Sequence, residues 1–463
     1  MVNKLLNVLL DPGTFLSWDD GLARESVITG SGSVAGHRAA IVASDFAVLG
    51  GSIGLVAGER LTRAVERATA HRLPLIAMPA SGGTRVQEGT AAFLQMLRVT
   101  AAVTAHKAAG LPYLAYLRHP TTGGVLASWA SLAQVTAAEP GALIGFLGPR
   151  VYEALAGTPF PAGIQTAEHL YACGLVDAVL APEDLAAYFG QVLTVLSGAH
   201  PRMGGADGSA ADGDAGMAAG GTADTGNADA WESVTRTRRP GRLRGAELLR
   251  ASADDLVTVR EGGGLLLALA RVSGTAVVCA AHDGDGPFGI RGVDLFLRGL
   301  RMAAELRTPL LTVIDTPGAE LSVAAEEAGI ARKIAQCIAA MISLPVPTIA
   351  VLLGQGTGGG ALALLPADRV LAAEHAWLAP LAPEGASAIV YRDTAHAPEL
   401  ARAQGITAAD LAPAGMVDQV VAEGESLPAA VRAAVLDLVG QNTGSRLAQR
   451  ARRFRALGVK YPG

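Results

Sequence analysis

Across "LVAGERLTRAVERATA", residues 55–70, apolar positions such as Leu61 and Val65 return at helical spacing, with Arg and Glu between them. That period predicts an amphipathic helix. An apolar run at 74–79, bounded by prolines, is too short for a helix and reads as a buried strand. "SGGTR" makes a loop at 81–85; then come a second helix, a strand over Tyr113–Leu117, a Gly-Gly turn and a helix from Val125. The β-rich stretches "RAAIVASDFAVLGG" and "LLLALARVSGTAVVCAAHD" each open a succession of this kind. Strands alternating with helices predict an α/β fold.

The two successions match in register. "RAVERATAHRLPL" at 63–75 answers "RGLRMAAELRTPL" at 298–310, and "LPYLAYL" at 111–117 answers "VPTIAVL" at 346–352. "TAAEPGALIGFLGP" at 136–149 answers "LAAEHAWLAPLAPE" at 371–384, so all three pairs share an offset of 235 residues. "GLVDAVL" and "GMVDQVV" pair at an offset of 241. Between the copies, residues 200–230 are almost wholly Gly, Ala, Asp, Ser and Thr. Such a segment buries too little apolar surface to offset its ordering entropy, so a flexible linker is expected there, between domains at 1–199 and 231–463.

Composition narrows the function classes. The chain has 463 residues, 50% apolar and 17% charged, with a net charge of −5. No basic stretch is interleaved with stacking aromatics, so nucleic acid is not an expected partner. Three scattered cysteines, Cys173, Cys279 and Cys337, make no CxxC pair, and no metal site is expected. The start reads as a mature N-terminus without a leader, which fits a cytoplasmic protein. The uncharged stretch 344–367 is broken by prolines and five glycines, and suits a strand, turn and helix rather than a membrane span.

Chemistry enters at the glycines. "TTGGVLAS" carries Gly123 and Gly124, and "GTGGGALA" carries Gly359 and Gly360, each where a strand passes into a helix. Helix N-termini leave backbone N–H groups unpaired, and glycine lets a ligand atom approach them. Neither stretch has a phosphate-loop pattern. Two amides aimed at one point suit a developing oxyanion such as a thioester enolate; a tight, closely packed turn is the other reading. "SGGTRVQEG" and "DTPGAE" place Gly82, Gly83 and Gly318 just after strands, at the sheet end where α/β folds bind ligands. Arg85 either meets a carboxylate or phosphate there or pairs with Glu88.

These stretches identify a resemblance. "DFAVLGGSIGLVAGERLTRAVE", "SGGTRVQEG", "LPYLAYLRHPTTGGVLASWA" and "AEPGALIGFLGPRV" resemble the β subunit of bacterial acetyl-CoA carboxylase carboxyltransferase. "RTPLLTVIDTPGAE", "GQGTGGGALALLPADRVL", "LAPEGASAIVYRD" and "GMVDQVV" resemble its α subunit. The chain is thus similar to a fused β-plus-α carboxyltransferase of the biotin-dependent acyl-CoA carboxylase family. The resemblance implies a duplicated crotonase-like fold, each half a ββα spiral. It implies transfer of CO₂ from carboxybiotin, on a separate biotin carboxyl carrier protein, to acetyl-CoA, giving malonyl-CoA for fatty-acid synthesis. Carried over, Gly123 and Gly124 would face the acyl-CoA enolate, and Gly359 and Gly360, with Ala361 beside them, would face biotin. A separate biotin carboxylase and a homo-oligomeric state, dimer or higher, are further expectations.

The departures are local. The four-cysteine zinc ribbon of many β subunits is missing, Thr84 stands where alanine is common, and GQGTGGG replaces GEGGSGG. His119 invites a catalytic role, but a lone His beside proline is better read as a loop residue. Propionyl- or longer acyl-CoA acceptors, a biotin-dependent decarboxylase of malonyl thioesters, and a catalytically degenerate subunit stand as alternatives.

Overall fold

The computed structural model of the chain describes residues 2–19, 21–197 and 229–458. The expected linker at 200–230 lies outside these except for its last two residues, where Asp229 caps the helix that starts at Ala230.

The first half contains β1 (Leu16–Ser17), β2 (Val27–Val34), β3 (His37–Ser44), β4 (Leu75–Met78), β5 (Tyr113–Leu117), β6 (Thr121–Thr122), β7 (Val135–Ala138), β8 (Ile144–Gly145) and β9 (Ala178–Val179). The second contains β10 (Asp255–Gly262), β11 (Leu265–Val272), β12 (Thr275–His282), β13 (Leu310–Thr316), β14 (Thr348–Thr357), β15 (Arg369–Ala373), β16 (Trp377–Ala379) and β17 (Gln419–Val421). The main sheets run β1-β2-β3-β4-β5-β7-β9 and β10-β11-β12-β13-β14-β15-β17. In each, an antiparallel hairpin leads into parallel strands. A short parallel pair departs from each main path: β6 with β8, and the end of β14 with β16. This is the duplicated ββα spiral of the crotonase-like fold.

Ten helices matter for the site: α1 (Leu55–Ala70), α2 (Gly89–Ala108), α3 (Gly123–Leu126), α4 (Pro149–Ala156), α5 (Ile290–Leu306), α6 (Val323–Glu327), α7 (Ile330–Ser343), α8 (Gly358–Leu364), α9 (Pro383–Val390) and α10 (Thr443–Ala456). The repeat offset is structural, since β4 and β13, β5 and β14, and α1 and α5 each begin 235 residues apart. α1 buries Leu61, Ala64, Val65 and Ala68, the apolar face its period predicted. The Glu88 carboxylate accepts the Leu55 N–H at 2.6 Å, placing a negative charge at the positive end of this helix.

One apolar core is common to both halves. It joins Leu61, Phe93 and Tyr113 to Phe296, Ile334 and Leu352. Polar contacts tie the seam: Thr90 Oγ1 donates to Leu378 O at 2.9 Å, and Gln404 Nε2 donates to Val86 O at 3.0 Å. The two halves thus pack on shared apolar contacts. The uncharged 344–367 stretch forms β14 and α8, buried over nearly all its length. No helix among the described residues is long and apolar enough to cross a membrane.

Candidate functional site

The two copies meet around a cavity of about 180 Å³. Gly82, Thr84, Thr122, Gly123, Gly124 and Phe146 line it from the first half, and Gly318, Ala319, Thr357, Gly358, Gly359 and Leu381 from the second. Each half contributes one loop after its central parallel strand and one glycine turn at a helix N-terminus.

The loops are built alike. Gly83 has φ +105° and donates to Ser81 Oγ at 3.0 Å; Gly318 has φ +134° and donates to Thr316 Oγ1 at 3.1 Å. A hydroxyl two residues back therefore holds each glycine in a conformation that disfavours a side chain. Gly83 O accepts Ile53 N–H at 2.9 Å and Arg85 N–H reaches Ile53 O at 2.9 Å. Strand alternation then turns the intervening Thr84 N–H to the opposite side. In the second half Gly318 O and Glu320 N bind Phe288 in the same way, at 2.8 and 3.1 Å, turning out Ala319 N–H. Neither Thr84 N–H nor Ala319 N–H finds an acceptor among the described residues. Both residues line the cavity.

The glycine turns repeat as well. Gly123 has φ +65° and Gly358 has φ +58°, each followed by a glycine with an ordinary helical backbone. The matching pair is therefore Gly123-Gly124 with Gly358-Gly359, one residue earlier than the expected Gly359-Gly360. Gly123 N–H donates to Phe146 O at 3.1 Å. Gly124 is the second residue of α3, and its i−4 carbonyl, on Pro120, already accepts Ser81 N–H at 2.6 Å. Loop and turn are in close contact: a β-carbon on Gly83 would stand 3.2 Å from Gly124 N. Gly360 sits one residue deeper, where a β-carbon would stand 3.1 Å from Ala319 N. Ala361 is wholly buried in the shared core, which moves it off the cavity wall where a binding role was expected.

Arg85 follows the pairing reading. Its guanidinium binds Glu25 at 2.6 Å and Glu88 at 2.8 Å and donates to Ser52 O at 3.0 Å. Burial opposes its charge, but the bonds to Glu25 and Glu88 hold its pKa above the usual value. Arg85 is thereby consumed in bracing its loop and is not part of the cavity wall. His119 is an exposed loop residue whose Nδ1 accepts Leu143 N–H at 3.1 Å. Behind the second loop Asp315 is fully buried against Arg242, with Oδ1 2.9 Å from Nη2. Among the described residues no group of three or more His, Cys, Asp or Glu side chains is placed to hold a metal ion.

Thr84 and Ala319 were missed in the sequence because a backbone donor carries no side-chain signature. The signal that could have found them is the offset itself, since each follows its loop glycine in both copies.

Residues 9–198 match a carboxyl transferase domain, and residues 286–458 match an acetyl co-enzyme A carboxylase carboxyltransferase-like family. A probable biotin-dependent acyl-coenzyme A carboxylase beta3 subunit of Mycobacterium tuberculosis is 48% identical, over 99% of this chain and 98% of that one. The acetyl-coenzyme A carboxylase carboxyl transferase subunits beta/alpha of Salinispora arenicola are 40% identical, over 95% of this chain and 82% of that one. A solved transcarboxylase 12S structure with methylmalonyl-coenzyme A bound is 23% identical and covers 95% of this chain and 90% of that one, at a TM-score of 0.41. On the sequence relatives and both domain matches, the chain belongs to the biotin-dependent acyl-CoA carboxylase family, as its carboxyltransferase component.

Proposed function

We propose that this protein transfers CO₂ from carboxybiotin, presented by a separate carrier protein, to acetyl-CoA, forming malonyl-CoA for fatty-acid synthesis in the cytoplasm. The observation that carries the reading is the doubled loop-plus-turn arrangement around one cavity. Thr84 and Gly124 N–H are the proposed donors to the thioester oxygen as the enolate forms. Ala319 and Gly359 N–H are the proposed donors to the biotin ureido oxygen. Donors fixed by the fold stabilise charge as it develops, without reorganising at the moment of reaction.

The second donor set fits biotin, since Ala319 N–H lacks an acceptor and the wall around it is uncharged. When bound, the biotin ureido group supplies the CO₂ and, once CO₂ has left, a base for the α-proton. That division of labour suits these walls, because none of the cavity's described lining residues has a titratable side chain. The protein's own part is to orient the thioester, exclude water and hold the developing charge. The proposal includes a biotin carboxylase, a biotinylated carrier and further copies of this chain as partners.

A second reading, with propionyl- or longer acyl-CoA as acceptor, has one observation in its favour. Phe93, Phe146, Leu321, Leu381 and Ile389 give the cavity an apolar wall extending beyond the glycine turns. The test is malonyl-CoA formation from acetyl-CoA and carboxylated carrier, run beside propionyl-CoA. Faster turnover of propionyl-CoA would replace the acetyl assignment and leave the transfer chemistry standing.

A further inference from the structure

Glu326, on α6 of the second half, reaches across the seam into the first. Its Oε1 and Oε2 accept Phe146 N–H at 2.8 and 3.1 Å, and Oε1 also accepts Gln165 Nε2 at 2.7 Å. No cationic group lies within 4.0 Å of its carboxylate among the described residues. Burial pushes its pKa up, against the hydrogen bonds from Gln165 and the backbone, and the bonds that hold it come from the Phe146 and Gln165 N–H groups. An acceptor desolvated in this way makes strong, directional bonds.

What it holds is the residue that touches both glycine turns. Phe146 follows β8 directly, and β8 pairs with β6, the strand that delivers Gly123. Phe146 O accepts Gly123 N–H at 3.1 Å. On the other side, a β-carbon on Gly359 would stand 3.3 Å from Phe146 Cε2. The contact with Glu326 thus fixes the backbone of Phe146, that backbone fixes the first turn, and the ring abuts the second. Gln165 completes the clamp, its Nε2 also donating to Leu147 O at 2.8 Å.

We propose that Glu326 is a positioning residue through which the second half sets the geometry of the first half's glycine turn, so that the acyl-CoA donor pair is in register only when the halves are docked. The proposal rests on the carboxyltransferase reading above for its kinetic consequence, while its structural consequence is independent of that reading.

The test uses the full chain with Glu326→Met, which keeps the volume and removes the acceptor, and Glu326→Gln, which keeps one acceptor but sets its amide against that of Gln165. Hydrogen exchange is followed in the peptide spanning 119–128 and in the corresponding peptide around Gly358. In the Met variant the first should exchange about tenfold faster while the second stays at the wild-type rate. The same variant should lose about 10–10² in kcat for acyl-CoA carboxylation with KM changed less than about threefold, as small misplacements of reacting groups do. The Gln variant should fall between. Wild-type exchange and kcat in a folded Met variant would overturn the proposal. Should the Met variant fail to fold, wild-type exchange and kcat in the Gln variant would do so. A wild-type chain inactive on every acyl-CoA would remove the carboxyltransferase reading, and the exchange experiment would still decide the role of Glu326.

Discussion

A β-carbon on Gly124 would stand 2.8 Å from Thr84 Oγ1 and 3.4 Å from Met96 Cγ, and the backbone there is outside the left-handed region. Gly124→Ala therefore tests the donor pair without the strain that Gly123, at φ +65°, would add. Alanine keeps the backbone N–H, but its methyl group would push Thr84 aside, and turnover should fall by about 10²-fold, the cost of a small misplacement at the reacting atoms, while the circular dichroism spectrum stays that of the wild type. Turnover within a factor of two of the wild type would remove the Thr84–Gly124 assignment. Gly359→Ala should act on the other substrate, changing kinetics with the carrier more than with acyl-CoA. At this scale the sequence marked both glycine turns, but not which amides remain unpaired. That depends on Ser81, Phe146 and Ile53 taking the others, and those partners come from separate segments. Arg85 was ambiguous for the same reason, since Glu25 lies sixty residues away and no local pattern joins them.

Elements that carry a period were legible, and those whose role depends on a distant charge were not. β4 and β5 fall where their short apolar runs predicted, and their copies follow at the repeat offset. α10 is different, because "TGSRLAQRARRFRA" has the look of a solvated face. Yet the side chains of Arg446 and Arg450 are only 2% and 1% exposed, both bound to Asp368, whose own side chain is 4% exposed. Asp368→Ala would leave two buried guanidinium groups without their carboxylate, and it should cost about 3–5 kcal/mol in denaturant unfolding. A loss below about 1 kcal/mol would mean that α10 is not anchored there. The same helix clasps the first half through Arg455, which binds Glu59 at 2.9 Å. Burial acts to raise the Glu59 pKa, but hydrogen bonds from Arg455 and Arg98 prevail and bring it from 4.5 to about 2. A depressed carboxylate pKa stabilises the folded state above the unfolded value and loses that contribution as pH falls through the folded one. The clasp should weaken from about pH 4.5 down to about pH 2, and Glu59→Gln should flatten the pH dependence of unfolding across that window. An unchanged slope in the variant would contradict the assignment.

The whole molecule is a pseudo-symmetric pair, and its symmetry explains why one cavity has two sets of donors. Because the core is shared, either half alone would expose Phe93 or Ile334 and their apolar neighbours to water. Separately expressed fragments 1–197 and 229–463 should be poorly soluble, whereas co-expressed fragments should associate and recover activity. Stable, soluble single fragments would contradict the shared-core description. The duplication was legible because three segments kept one register; the seam was not, because Thr90, Glu326 and Gln404 are unremarkable polar residues until the halves dock. The central claim concerns chemistry across that seam. Its most direct test is kcat/KM for acetyl-, propionyl- and butyryl-CoA with carboxylated biotin carrier, followed as carboxylated thioester formed. One methylene of misfit in an apolar pocket is worth about 1–3 kcal/mol, so acetyl-CoA should be carboxylated fastest and propionyl-CoA measurably more slowly. No carboxylated product from any of the three, and no decarboxylation of malonyl-CoA with free biotin, in a folded preparation, would contradict the account.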